Sequence, residues 1–307
     1  MTPSKLPTQH RMQAIFLLLG AMAMLPLMDA TAKHLSHDMS LWQITWSRFT
    51  FHVLWLAPAF LARHRIRELL PARSGLQMLR GLCLMAATFL FFGGVAYMPV
   101  ADTLALSFVS PLTVTLLSPF LLGERVGIRR LSAVGVGLLG ALVIIRPGLS
   151  VFQPAALFGI GSGLVYAFYV IITRRLAGMA PALVTLAYTA LLGMVSTSLV
   201  VPFFWVPPTL EQWGFMVAMG AIAALGHWLI ILAYERGEAS MLSPFSYAEM
   251  IGAVTVGYLA FGDFPDRWTW VGIAILIGSG VYISIREHRV SPRPAAAAKE
   301  PEEITAG

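Results

Sequence analysis

The sequence predicts an all-α polytopic membrane protein with ten transmembrane helices, built as two inverted five-helix repeats around a central cavity. Three observations carry that prediction. Hydrophobic residues make up 57% of the 307 and charged ones 12%, against about 45–50% and about 25% in soluble domains. Apolar runs long enough for an α-helix to cross about 30 Å of hydrocarbon recur along the chain. One stretch of sequence also returns in altered form about 140 residues later.

Runs bounded by charges or by Pro and Gly clusters define the spans as 12–33, 41–62, 76–97, 101–122, 129–146, 154–173, 182–203, 212–234, 239–261 and 268–285. Residues 1–11 form a polar tail ahead of the first span, which carries Pro26 and Asp29. The "ATA" of Ala30 to Ala32 resembles a signal-peptide cleavage site. The run before it exceeds the usual h-region of about 7–15 residues and Asp29 interrupts its end, so it reads as a retained helix. The second span holds Arg48 and His52, the fourth Pro111 and Pro119, the eighth His227, and the ninth Pro244 and Glu249. Residues 12–146 form the first repeat and 154–286 the second, and 290–307 read as a disordered cytoplasmic tail.

Alternate loops differ sharply in positive charge. One set holds seventeen Lys and Arg, among them Arg63, Arg65, Arg67, Arg73 and Arg80, whereas the other holds Lys33, Arg146 and Arg267, and Arg48 completes the 21. Positive loops stay cytoplasmic, so both termini are expected there and the net charge of +6 is topological rather than a nucleic-acid signature.

The repeat is clearest where "FVSPLTVTLLSPFLLGE" (108–124) aligns with "YAEMIGAVTVGYLAFGD" (247–263), and Gly20–Leu35 aligns loosely with Gly159–Leu176. Five spans per repeat is odd, so the second copy enters the bilayer from the opposite side. Glu124 then falls on the cytoplasmic side and its counterpart Asp263 on the other.

Several chemistries are excluded. The G-x-G-x-x-G of Gly135 to Gly140 lies inside a span and precedes Arg146-Pro147-Gly148 rather than a distant acid, so it reads as small residues for close helix packing, as do Gly159, Gly163, Gly278 and Gly280. No H-E-x-x-H, G-x-S-x-G or Walker loop occurs, and Cys83 is the single cysteine, so neither an enzyme, an ATP-driven pump nor a metal or other cofactor is expected.

Ionisable residues at membrane depth are costly and therefore point to function. In "ITWSRFTFHVLWL" (44–56), Arg48 stands amid apolar side chains with His52 one turn on. Asp29 lies at a similar depth in the first span, so the two either form a structural ion pair or share a substrate site. Lys33, one turn beyond Asp29, is expected to snorkel to the interface. Glu249 and His227 fall near mid-span, where transporter sites lie. A carboxylate there must be neutralised by protonation, a partner or water, and a Glu249–His227 hydrogen bond is one structural alternative. Tyr166, Tyr169 and Tyr247 are candidate cavity aromatics, with packing or interface anchoring as the alternative. Pro26, Pro111, Pro119 and Pro244 free backbone carbonyls, which suits broken or kinked helices around a cavity.

"MDATAKHLS", "WSRF", "LSFVSPLTVTLLSPFLLGERV" and the run from Ser243 to Glu287 together resemble the bacterial drug/metabolite transporter superfamily, specifically its two-repeat EamA-type members. The resemblance spans about residues 12 to 287 and implies a secondary transporter that moves a small metabolite across the inner membrane by alternating access. The phrases of the first and ninth spans are most similar to S-adenosylmethionine uptake transporter-like members. Arg48 matches an arginine common at this place in the family, whereas the position of Glu249 often holds a neutral residue. The expected substrate is small and polar, zwitterionic or cationic, with the bilayer and a coupling proton as the other partners. A channel and a non-transporting scaffold are the rival readings.

Overall fold

The structure is a computed structural model that describes residues 8–63, 73–123, 127–145, 153–176, 179–236 and 243–290. The described residues contain helices and no strand: α1 (Thr8–Leu35), α2 (Leu41–Leu61), α3 (Ser74–Tyr97), α4 (Val100–Ser107), α5 (Val109–Leu121), α6 (Ile128–Ile145), α7 (Ala156–Arg175), α8 (Ala182–Val200), α9 (Leu210–Arg236), α10 (Glu249–Phe261) and α11 (Arg267–Val290). Two 3-10 turns, Val201–Phe204 and Ser243–Ala248, extend α8 and lead into α10. Helix α1 starts at Thr8, inside the expected tail, and α11 runs to Val290, where the other tail was expected to begin. Residues 1–7, 291–307 and Glu124 lie outside the described residues.

Six segments are long and apolar enough to cross a membrane: Met12–Leu35, Ser74–Tyr97, Val100–Leu121, Ala156–Arg175, Leu183–Phe204 and Leu210–Ala233. Leu131–Ile145 and Phe245–Phe261 are shorter apolar helices. Large apolar side chains such as Phe16, Phe120, Leu139 and Leu259 face outward, while Asp29, Arg48, His52, Gln77 and Arg80 are buried. An apolar exterior over a polar interior suits lipid, not water, and the chain is a multi-pass membrane protein.

The helices pair in a regular way. Helix α1 packs on α9 as α3 packs on α7; α2 lies against α8 and α9; α6 pairs with α11; and α10 contacts α1 as α4 and α5 contact α7. Prolines shape two of these contacts. Pro111 would clash with the carbonyl of Ser107 in a continuous helix, and the chain breaks at Phe108 between α4 and α5. The freed Ser107 oxygen lies against α7 at Gly163, where a Cβ would come within 2.5 Å of it. Helix α1 continues through Pro26, so no break occurs there. Its freed Met22 carbonyl lies against Gly252 of α10, 3.2 Å from where a Cβ would stand. The glycine-motif helix α6 uses Gly140 to meet Gly272 of α11, whereas Gly135 and Gly278 have open space beside them.

Helices α5 and α10 end alike. Gly123 and Gly262 both adopt the left-handed conformation, with φ of 69° and 71°, which side chains with a Cβ rarely tolerate. Between α8 and α9, both polar atoms of the Gln43 side-chain amide bond the backbone of Val206, at 2.8 and 2.9 Å. Thr209 and Gln212 cap the start of α9 reciprocally, at 2.9 and 3.2 Å.

Lys33 corrects an expectation. It pairs with Asp263 at 2.5 Å, donates to the Met98 carbonyl at 3.1 Å and lies over the Phe261 ring. A lysine at a helix end reads as snorkelling, but a carboxylate from the α10–α11 junction supplies a partner that hydropathy does not reveal. Across the bundle, at the other end, Arg175 of α7 donates to the Leu121 carbonyl that ends α5, at 2.9 Å from Nε.

Candidate functional site

Helix α2 owes its interior face to spacing. Ile44, Ser47, Arg48, His52 and Leu56 recur at three- and four-residue steps and are all buried. Arg48 is 3% exposed, with its guanidinium carbon 4.4 Å from the Phe49 ring centroid. Its Nε and one terminal nitrogen have no hydrogen-bond partner. Arg48 lies within electrostatic reach of Asp29, Tyr166 and Tyr169, and His52 and His227 also feel its charge. Asp29, also 3% exposed, interacts in turn with Glu249.

The anticipated Asp29–Arg48 ion pair does not close: among the described residues only Lys33 and Asp263 come within 4.0 Å as an acid–base pair. The two side chains therefore stay apart, and the arginine keeps donors free. Glu249 occupies the first turn of α10, directly after the Ser243–Ala248 turn. Ser110, its counterpart in the repeat, sits in the first turn of α5.

His227 bonds through Nδ1 to the Ala223 carbonyl of its own helix at 2.8 Å, and no hydrogen bond joins it to Glu249. Its ring lies 5.6 Å from that of His52, whose two nitrogens are both unpartnered. Arg48, His52, His227 and Thr189 line a tight recess between α2, α8 and α9 that leaves no room for a water molecule.

Tyr166 and Tyr169 lie tilted against one another, 5.3 Å apart, on the Arg48 side. Tyr247 stands apart, edge-on to Phe108 at 5.0 Å, with its hydroxyl where a side chain at Gly280 would have to go. Of the candidates, then, all but Tyr247 gather around Arg48, with Glu249 joined through Asp29.

Arg80 was missed. Near the basic start of the third span, it reads as a loop charge, but it is 3% exposed inside α3. It donates to the Thr185 carbonyl of α8 at 2.8 Å and to the Thr189 hydroxyl, with the Tyr169 ring 5.4 Å away. The one signal available was Gln77, three residues earlier on the same helix face, a second buried polar group.

A charged interior inside an apolar helical bundle defines a membrane protein that keeps ionisable groups at membrane depth. The comparisons narrow the class to a family. Residues 12–146 and again 153–285 match the EamA-like transporter family, and the chain belongs to it, as a transporter rather than an enzyme. It is 25% identical to an S-adenosylmethionine uptake transporter of Rickettsia bellii over 85% of this chain and 89% of that protein. It is 27% identical to a riboflavin transporter of Vibrio cholerae over 92% and 97%, and 28% identical to the pseudopaline exporter CntI of Pseudomonas aeruginosa over 69% and 76%. One solved crystal structure shares the fold, with a TM-score of 0.65 and 21% identity over 90% of this chain and 98% of the other.

Proposed function

We propose that this chain is a secondary active transporter of a small zwitterionic or cationic metabolite, such as an amino acid or an S-adenosylmethionine-like compound. It works by alternating access across the bacterial inner membrane, with both termini cytoplasmic. The observation that carries the reading is Arg48: a buried guanidinium with free donors, facing one carboxylate, Asp29, that it does not touch. Arginine's planar fork matches a substrate carboxylate bidentately, while Asp29 and Glu249 suit an ammonium or sulfonium. A substrate bearing both groups would bridge the gap that the protein leaves open. When it departs, Arg48 and Asp29 can close on one another, and a proton on Glu249 can couple the return step.

The ten-span inverted repeat is part of this proposal. It is supported by the two family matches and by the contacts between the halves, in which α1 with α9 answers α3 with α7, α2 with α9 answers α3 with α8, and α1 with α10 answers α4 and α5 with α7. Spans four and nine are then α4 with α5 and the Ser243–Ala248 turn with α10.

The test is the purified full chain in liposomes, screened with labelled amino acids, S-adenosylmethionine and riboflavin under imposed proton and sodium gradients. We expect saturable, gradient-dependent flux of a carboxylate-bearing substrate, reduced at least about tenfold in Arg48→Lys because the charge survives but the fork does not. Non-saturating conductance would mark a channel, and full activity in the lysine variant would reduce Arg48 to charge balance.

A further inference from the structure

We infer that Arg80, Gln77 and Thr189 form a second anion subsite, a station for a carboxylate or phosphate oxygen separate from Arg48 and adjoining the closed recess that Thr189 shares with it. The inference rests on the carrier reading only for its place on the substrate path.

The argument begins with incomplete bonding. Arg80 braces α3 against α8 through one terminal nitrogen, bonded to the Thr185 carbonyl and the Thr189 hydroxyl. Its Nε has no partner, and neither polar atom of the Gln77 amide has one, although Gln77 is fully buried and Arg80 is 3% exposed. A finished structural brace would not leave three buried polar atoms unbonded. Replacing Gln77 with an apolar side chain would serve packing better, so its amide is retained against the stability of the closed form.

Charge points the same way. Among the described residues no carboxylate comes within 4.0 Å of Arg80, and its aromatic neighbour Tyr169 presents a ring face. Arg48 faces Asp29, but among the described residues Arg80 has no such counterpart. An anion with at least two oxygens would satisfy the Nε–H and the amide N–H donors and compensate the charge.

Position connects the two arginines. Thr189, which accepts from Arg80, also lines the recess with Arg48, His52 and His227. Gly81, next to Arg80, lets α3 approach α8 closely enough that a Cβ would fall 2.8 Å from Leu192. An acidic group released by Arg48 therefore meets a second cationic anchor on the far side of Thr189. A substrate with two acidic groups could hold both anchors at once.

The test reads binding without needing the natural substrate. Purified full-length protein in detergent is titrated with inorganic phosphate and, separately, with acetate, at ionic strength held constant with chloride, and thermal unfolding is followed. We expect a saturable rise in melting temperature with at least one of the two anions, and which one responds assigns the group as phosphoryl or carboxylate. Arg80→Gln should weaken half-saturation at least about tenfold, the scale of one lost charge-assisted bond, while Arg48→Gln retains the response. Gln77→Leu leaves the brace intact, so it guards against misfolding of the arginine variant. It should melt no lower than the parent without anion, yet bind several-fold more weakly.

No saturable rise with either anion, or a response that survives both Arg80→Gln and Gln77→Leu, would overturn the subsite. So would a response lost only in Arg48→Gln. Anion binding through Arg80 in a protein that moves no metabolite in liposomes would sink the carrier reading and leave the subsite standing. Transport with an Arg80-independent anion response would do the reverse.

Discussion

Lys33 and Asp263 tie the end of α1 to the α10–α11 junction, 230 residues apart in sequence. In an alternating-access carrier this pair must part whenever the interior opens toward that end. Two unit charges at the observed 2.5 Å attract by about 7 kcal/mol at an effective dielectric of about 20. The side chains are only 12% and 28% exposed, so desolvation takes back most of that attraction. Exposed pairs retain about 0–1 kcal/mol, and close interfacial pairs more. A net of about 1–2 kcal/mol is thus expected, or about 5–30-fold in the ratio of closed to open forms. The assay uses Met98→Cys in a Cys83→Ala background, because the Met98 carbonyl accepts from Lys33 and Met98 is 7% exposed. Asp263→Asn should raise its labelling rate with an impermeant thiol reagent by that factor, and the charge swap Lys33→Asp with Asp263→Lys should restore slow labelling. Equal rates in the asparagine variant and its parent would refute the latch.

Other consequences are checked more briefly. Glu249→Gln should fold and exchange labelled for unlabelled substrate but lose proton-driven accumulation; normal accumulation per inserted molecule would remove Glu249 from coupling. With cytoplasmic termini, an impermeant reagent outside intact cells should label cysteines placed at Thr209 or Pro265 and spare one at Ser74, and the opposite pattern would invert the topology. Gly163→Ala forces a methyl to within 2.5 Å of the Ser107 oxygen and 2.6 Å of Val109, so it should lower stability by about 1–3 kcal/mol in thermal unfolding; an unchanged transition would mean that α4 yields freely.

Hydropathy located the helices because lipid demands an unbroken apolar length, and a proline announced the break at Phe108 by the clash it would make. Arg48 and Asp29 were legible because a charge deep in an apolar run has no other explanation at hand. Arg80 was not, because a cation near the basic end of a span looks like topology until Thr185, 105 residues later, is seen to hold it. Lys33 escaped for a related reason: snorkelling is a property of one side chain, but an ion pair depends on what the rest of the chain brings alongside. Pairwise geometry is absent from a one-dimensional pattern, so the depth of a residue could be read where its partner could not.

Phe108 and Tyr247 occupy equivalent places in the two halves, 139 positions apart, and their rings touch at 5.0 Å. Equivalent residues of a duplicated chain meet only on the line about which the halves are interchanged. In the two-repeat carrier proposed above, a conformational cycle exchanges the roles of the halves, and a point on that line keeps the same surroundings throughout. A spectroscopic label at Phe108 would then stay silent while labels near Lys33 and Arg175 respond in opposite senses, which gives the molecule an internal zero against which its own motion can be gauged.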